Sequence, residues 1–395
     1  MTDVKGRFGR PLRLALVGGG PSSWIGRMHR SAALLDGWWE LVGGVFSGDP
    51  ARAKAAGMEL GFPAERSYED VEAMLAGEAA RADGADAVAI MSPNDSHYPA
   101  AAAALDRSLD VIGDKPVSHD FAEASDLVER TRARGRLFAV MHGYSAYPMT
   151  RYARWLVRDG ALGEPRFVQV EYLQGSSAAR LEDGPQTRRL EWLFDPGRSG
   201  LALVMSAIGC HAQHLASATI GRNVARVSAD VGALVPNRHV VDHVSALLEF
   251  EGGARGTFTA TNAAAGAEND VRLRVVGERG MVEWCHREAS YLKLSLLGEA
   301  ARVIGRGDPY LPAEVIAGGR SPRGHPEGML EAFANIYGEV AQERMARELG
   351  EPVPDFPYPR IEEAAHTMAF IEACLASHAR GGWADVAKRP AGTAR

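Results

Sequence analysis

The chain has 395 residues, 46% of them hydrophobic and 24% charged, with a formal net charge of −6. That length exceeds what one hydrophobic core usually spans, so two domains are expected. No apolar run approaches the roughly 20 residues of a membrane span, and the acidic balance removes the electrostatic reason to expect a nucleic acid partner.

Residues 1–11 carry no apolar centre of a signal peptide. The three scattered cysteines, Cys210, Cys285 and Cys374, fit a reducing compartment and form neither a disulfide framework nor a metal-ligand spacing. A cytoplasmic protein acting on a small molecule is therefore expected, with no metal.

Across residues 1–141, short apolar runs at 12–18, 40–46, 86–92, 109–113 and 136–141 alternate with helical segments at 49–60, 67–77, 96–105 and 121–134. Strands with little polar alternation between amphipathic helices indicate a parallel sheet covered on both faces, a doubly wound α/β domain. Asp49-Pro50 reads as a helix cap followed by proline at the first position, and Ser67 as the start of the next helix, with Glu69 and Asp70 in its first turn.

From 142 to 395 the pattern changes. Runs at 166–174, 224–234, 241–250, 255–262, 271–276 and 280–284 have few helices between them, which predicts an α+β domain on a large, mostly antiparallel open sheet. Helices are expected at 148–160, 206–219, 327–348 and 361–379, the last able to pack back on the first domain, and residues 299–326 read as a long loop. A broad sheet with one uncovered face is expected to be buried in a homodimer or homotetramer.

The first strand runs into Gly18-Gly19-Gly20-Pro21-Ser22-Ser23-Trp24-Ile25-Gly26. Gly18 and Gly20 suit a tight turn that lets backbone approach a pyrophosphate at a helix N-terminus. Ser23 stands where a third glycine is usual and Gly26 follows three residues late, as if the loop were longer. Pro21 has no N–H, so the amides of Ser22, Ser23, Trp24 and Ile25 are the expected phosphate donors.

Ser47 ends the second strand, where an acidic residue would bind the ribose 2'-hydroxyl of NAD and a small one leaves room for the 2'-phosphate of NADP. The choice leans slightly to NADP, although Asp49 is two residues on. Arg52 is either a partner for that phosphate or a solvated helix residue. Two further strand-end loops, Ser92-Pro93-Asn94-Asp95-Ser96-His97 and Asp114-Lys115-Pro116, face the crevice where such sheets bind ligands, and Pro116 is a candidate cis residue.

With these motifs in this order, the chain resembles the Gfo/Idh/MocA family, the glucose–fructose and inositol dehydrogenase-like oxidoreductases. Gly26-Arg27-Met28-His29, the turn Gly160-Ala161-Leu162-Gly163 and Ile208-Gly209-Cys210-His211-Ala212-Gln213-His214-Leu215 carry the resemblance along the chain. His325-Pro326-Glu327-Gly328 is further suggestive of one branch.

The resemblance implies an NAD(P)-dependent dehydrogenase of a secondary hydroxyl on a sugar, sugar derivative or cyclitol. Lys115 would polarise the hydroxyl, and His211 would act as acid–base, since imidazole titrates near neutrality. Asn94, His97, Ser92, Pro93, Asp114 and the 18–26 loop would hold the cofactor. Tyr144, Tyr147, Trp192, Asp195, His214 and His325 are candidate substrate residues. For these the alternative readings are domain-interface aromatics, a Trp plug with an Asp-Pro turn, and buried or surface histidines; His239 and His243 read as one face of a strand.

The chain departs from the family pattern at two places. Ala207 stands four residues before His211, where the family usually has aspartate, and alanine accepts no proton. Ser206 points about 100° around a helix from it and is a poor substitute. Ser145 stands where many relatives carry arginine. Ala207 leaves open a catalytically impaired or engineered chain that only binds cofactor and sugar; an NAD-dependent glycoside hydrolase is a further alternative.

Overall fold

The computed structural model describes residues 4–184, 190, 193–199 and 203–388. It divides into two compact units, one of Met1–Ser118, Ala122–Met141 and Leu330–Ile361, the other of His119–Phe121, His142–Met329 and Glu362–Arg395.

In the first unit, β1 (Leu12–Gly18), β2 (Trp39–Val45), β3 (Ala87–Met91), β4 (Asp110–Gly113) and β5 (Phe138–Val140) form a parallel sheet in the order β2-β1-β3-β4-β5. Leu12, Leu14 and Leu16 of the central β1 are wholly buried, as expected for a strand covered on both faces. The helices Trp24–Leu35, Pro50–Glu59, Val71–Ala79, His97–Asp106 and Phe121–Ala133 connect them.

Asp49 caps the helix Pro50–Glu59 by accepting from the Ala51 amide at 3.1 Å. Ser67 does not start the next one: its hydroxyl donates to the Pro63 carbonyl, it bridges to Gly44, and Asp70 is the cap, accepting from the Ala73 amide at 2.7 Å. The bridge to the sheet holds residue 67 extended and delays the helix to Val71.

The chain crosses back once more after the second unit. The helix Met329–Leu349 belongs largely to the first unit, where Tyr337 is almost fully buried and accepts at its carbonyl from the Trp39 indole at 2.9 Å. The Tyr337 hydroxyl meets His29 Nδ1 at 2.7 Å. The Val140 amide donates to the Pro359 carbonyl, and buried Glu343 takes Tyr358 and Arg360, at 2.8 and 2.7 Å. A division at residue 141 alone therefore misses this return, which no local pattern announces, because the helix's apolar face does not say which sheet it covers.

Among the described residues, the second unit is built on nine strands. They are β6 (Pro165–Leu173), β7 (Val224–Gly232), β8 (His243–Phe250), β9 (Arg255–Thr261), β10 (Asp270–Gly277), β11 (Gly280–Cys285), β12 (Tyr291–Leu296), β13 (Arg302–Gly305) and β14 (Ala384–Asp385), in the order β13-β12-β11-β10-β6-β9-β8-β7-β14. All pairs are antiparallel except β6 with β9. One face is buried through Val168, Val170, Val244, Phe258, Leu273 and Val275; the other presents Arg272, Arg274, Glu283, Lys293 and the half-exposed Leu247.

β12, β13 and the short helix Ala313–Ile316 were not foreseen; β13 is four residues long and at the sheet edge, too short for alternation to register. His239 falls in a bend before β8, so it and His243 share no strand.

Burial costs His29 its charge. Its pKa is pushed down from 6.5 to about 4 chiefly by desolvation, with Asp114, 3.9 Å away, opposing. A base whose folded pKa is lowered binds fewer protons than the unfolded chain, so stability is present above 6.5 and falls as pH drops toward 4, by up to about 3 kcal/mol. Urea unfolding across that window should show this slope, and His29→Gln should flatten it; an unchanged slope contradicts the assignment.

Candidate active site

In the first unit, the carboxyl ends of β1, β3 and β4 bring three loops together. Gly18 and Gly19 adopt φ of +86° and +66°. A Cβ on Gly18 would stand 2.6 Å from the Ser92 backbone, on Gly20 2.7 Å from the Phe46 carbonyl, and on Gly26 2.4 Å from Gly19. Gly19 and Gly26 thus touch backbone to backbone, so Gly26 serves as the displaced third glycine of the loop, the one that lets helix approach strand.

Ser23 caps the helix Trp24–Leu35, its hydroxyl accepting from the Gly26 amide at 3.0 Å. Its own amide is spent on the Gly20 carbonyl at 2.9 Å. This corrects the expectation that Ser23 donates to a phosphate: a tight turn closes on that N–H. Ser22 lies exposed in the turn, and the first-turn amides of Trp24 and Ile25 point out of the helix end. The glycine cradle, which any side chain would fill, together with that helix end, fits a dinucleotide pyrophosphate.

At the end of β2, Ser47 Oγ accepts from the Asp49 amide at 3.1 Å, and the Asp49 carboxylate is engaged in capping. Arg52 is exposed on the first turn of that helix. Ser92 Oγ takes a hydrogen bond from Ser96 at 2.6 Å, Pro93 is exposed, and Asn94 opens a 3-10 turn.

His97 has both ring nitrogens against carbonyls, of Ser92 at 2.7 Å and Pro116 at 2.6 Å. It fastens the β3 loop to the β4 loop. Asp114 accepts from the Lys115 amide at 2.8 Å, and Lys115, half-buried, precedes a cis peptide to Pro116.

In the second unit, His211 lies in the helix Cys210–Ile220, entered through a π-helical turn at Met205–Gly209, a deviation frequent at functional sites. Around its buried ring stand His142, centroids 5.5 Å apart, and Tyr144 at 5.2 Å. His142 stacks on His214 at 4.3 Å, and His214 Nε2 is 3.5 Å from Glu363.

The Tyr144 hydroxyl bonds that of Tyr172 at 2.8 Å, which donates to Asn269 at 3.1 Å. Burial pushes both phenols up, so both stay neutral. Tyr147 stacks near Tyr144 and meets His286 at 3.2 Å, beside Trp284. The result is a mostly buried cluster of hydroxyls, imidazoles and ring faces, group types that also bind polyols.

The Ala207 side chain is a methyl group, which accepts no proton, and Ser206 is buried with its hydroxyl donating to the Leu203 carbonyl at 3.1 Å. Ser145 donates to the His142 carbonyl at 2.9 Å, a turn contact. Asp195 is exposed, and its Oδ1 accepts from the Gly197 amide at 2.9 Å at the start of Pro196–Ser199, as an Asp-Pro turn does.

Trp192 lies outside the described residues. His325 lines a different cleft of about 210 Å³, with Tyr291, Arg306 and Arg323; the Arg306–Glu327 pair, at 3.1 Å, pulls that loop onto β13. Among the described residues no group of three or more His, Cys, Asp or Glu is placed to hold a metal ion, and no helix is long and apolar enough to cross a membrane.

His142, Tyr172, Asn269, His286 and Glu363 were not singled out in the sequence. Tyr172 was legible as an inward residue of an alternating strand with Val168 and Val170. His142 sits just past a strand end, and the others gather only through the tertiary fold.

Residues 12–142 match the oxidoreductase family with an NAD-binding Rossmann fold, and residues 150–283 the GFO/IDH/MocA C-terminal domain. An uncharacterized oxidoreductase, YfiI, of Bacillus subtilis is 31% identical over 383 residues, 95% of this chain and 97% of that protein. An inositol dehydrogenase homologue of Azotobacter vinelandii, solved with NAD+, superposes with a TM-score of 0.91 at 34% identity, covering 96% of this chain and 98% of that one. A second structure of such a homologue from that organism, with NADH and myo-inositol, gives 0.88 at 33%, again covering 96% and 98%. With its nucleotide loop, its nine-stranded second sheet and matches to both domains, the chain belongs to the Gfo/Idh/MocA family of NAD(P)-dependent oxidoreductases.

Proposed function

We propose that the chain oxidises a secondary hydroxyl of a sugar, sugar derivative or cyclitol, with Lys115 and His211 as the groups that act on that hydroxyl. The observation that carries the reading is the wall of Tyr144, Tyr172, Asn269 and His286 beside a buried His211, joined to a glycine cradle elsewhere in the same chain. The myo-inositol complex of the Azotobacter homologue supports a cyclic polyol as substrate.

NAD or NADP, when bound, supplies the hydride acceptor. The Gly18–Gly20 turn and the Trp24 and Ile25 amides hold its pyrophosphate. Ser47 and Arg52 admit a 2'-phosphate, because the Asp49 carboxylate is turned to its helix cap; the NAD+ complex of the Azotobacter homologue supports the plain dinucleotide too.

Lys115 steadies the oxygen as negative charge develops on it, and His211 takes the hydroxyl proton. The C–H electron pair leaves as hydride while the C=O bond forms. Net reduction of the nicotinamide separates this reaction from an NAD-dependent glycoside hydrolase, which returns its cofactor unchanged.

With myo-inositol and a panel of hexoses and pentoses, wild-type protein should reduce the nicotinamide. Lys115→Met should lower kcat by about 100-fold or more while cofactor binding, followed by tryptophan quenching, persists. Absence of reduction with every polyol, or full activity in Lys115→Met, contradicts the proposal. Arg52→Ala should weaken NADP by roughly fivefold and NAD hardly at all; equal effects on both remove Arg52 from the phosphate site.

A further inference from the structure

The helix Trp24–Leu35 sets two arginines just behind the glycine loop. Arg27 and Arg30 lie three residues apart and so share one face of the helix. A helical side chain leans toward the N-terminus, over the turn before its own Cα. Arg30 therefore leans over Gly26, four residues earlier, and its Nη1 donates to the Gly19 carbonyl. From this same oxygen a Cβ on Gly26 would stand only 2.4 Å away. The bare Cα of Gly26 thus leaves open the path by which the guanidinium reaches the loop.

The electrostatics of this spot are unfavourable in the protein alone. The start of a helix carries the positive end of its dipole, which disfavours a cation. Two like charges at this spacing repel. Arg30 is also half-buried, and burial, then the charge of Arg27, pushes its guanidinium down from its ordinary value. Other arginines of the same unit are compensated: Arg66 meets Glu78 at 2.6 Å and Arg10 meets Asp86 at 2.7 Å. Among the described residues, neither Arg27 nor Arg30 makes an ion pair with a carboxylate.

An anion on the loop relieves all of these costs together. A guanidinium has five N–H groups, and one of them serves the Gly19 carbonyl. That bond has its own use. A carbonyl oxygen left bare in a phosphate loop repels the ligand, and the guanidinium covers it with positive charge.

We propose that Arg30 is a positioning residue of the cofactor loop: it holds the Gly19 peptide by its carbonyl and sets a positive charge beside the glycine cradle for the pyrophosphate that NAD and NADP share. The inference rests on the reading of that cradle as the pyrophosphate site. It adds a side-chain cation to a site otherwise made of backbone N–H groups, and it concerns binding alone.

The test is titration calorimetry of NAD and of NADP on the full chain, as wild type, Arg30→Lys, Arg30→Gln and Arg30→Met, each at low and at high salt. Calorimetry reads affinity without turnover. Arg30→Met should weaken both nucleotides by about tenfold and to the same extent. Its affinity should also depend less on salt than that of wild type, because one protein charge facing the phosphates is gone. Arg30→Gln, which keeps a donor and loses the charge, should share the shallower salt dependence. Arg30→Lys should keep the wild-type salt dependence and lose roughly threefold in affinity, for want of the planar fork.

A side chain that merely props the loop would lower affinity in all three variants and leave the salt dependence alone. That result overturns the proposal, as does unchanged affinity in Arg30→Met. Weakening of NADP alone assigns Arg30 to the 2'-phosphate and overturns it too. Where Arg30→Met does not unfold cooperatively, Arg30→Lys against Arg30→Gln makes the same comparison of charge. If wild type binds neither nucleotide, the cofactor reading falls and the inference with it. If wild type binds and only the Arg30 comparison fails, the cradle keeps its assignment and the inference alone falls.

Discussion

The cofactor half of this protein depends on one backbone contact, Gly19 against Gly26. A loop lengthened by about three residues relative to the usual glycine spacing must still return its helix to the strand end, or the helix dipole and its first amides miss the pyrophosphate. Here the return is made by two residues without side chains, close enough that a Cβ on Gly26 would stand 2.4 Å from the Gly19 backbone. Ser23 then locks the helix start with its hydroxyl and closes the turn with its amide. The same helix carries His29 into the interior, where Tyr337 receives it. The long helix that returns late in the chain is therefore part of the support beneath the nucleotide loop.

The second unit meets a different constraint. A family position that usually offers a carboxylate is alanine, and the buried His211 four residues on packs its ring edge-to-face with His142 and Tyr144. The cluster is made of buried rings and neutral hydroxyls, and burial keeps Tyr144 and Tyr172 protonated. A polar wall of this kind is also matched to a polyol, whose hydroxyls need both donors and acceptors.

Much of the architecture was legible along the chain. The five parallel strands are contiguous apolar runs because both their faces are covered, and Asp49-Pro50 announces its helix by cap chemistry alone. The illegible parts share a physical cause: they depend on partners distant in sequence. Ser67 looks like a cap until its bridge to Gly44 is seen, and Asp70 takes the role. His97 resembles a ligand residue, and its two ring nitrogens lie 2.6 and 2.7 Å from carbonyls of two loops. Asp195 carries a carboxylate whose Oδ1 closes its own turn, a contact the Asp-Pro pair announces. Ser23 was read as a phosphate donor, and only the turn geometry shows its amide already used. His142 follows β5, Asn269 precedes β10 and His286 follows β11, and no spacing unites them.

The Gly19–Gly26 contact shapes the dinucleotide site, and the substitution Gly26→Ala puts a side chain into that contact. Titration calorimetry with NAD and NADP on wild type and on Gly26→Ala should show binding of at least one nucleotide to the first and a loss of about tenfold or more in the second, with unfolding still cooperative. Equal affinity in the two proteins, or no binding by the wild type, would contradict the account.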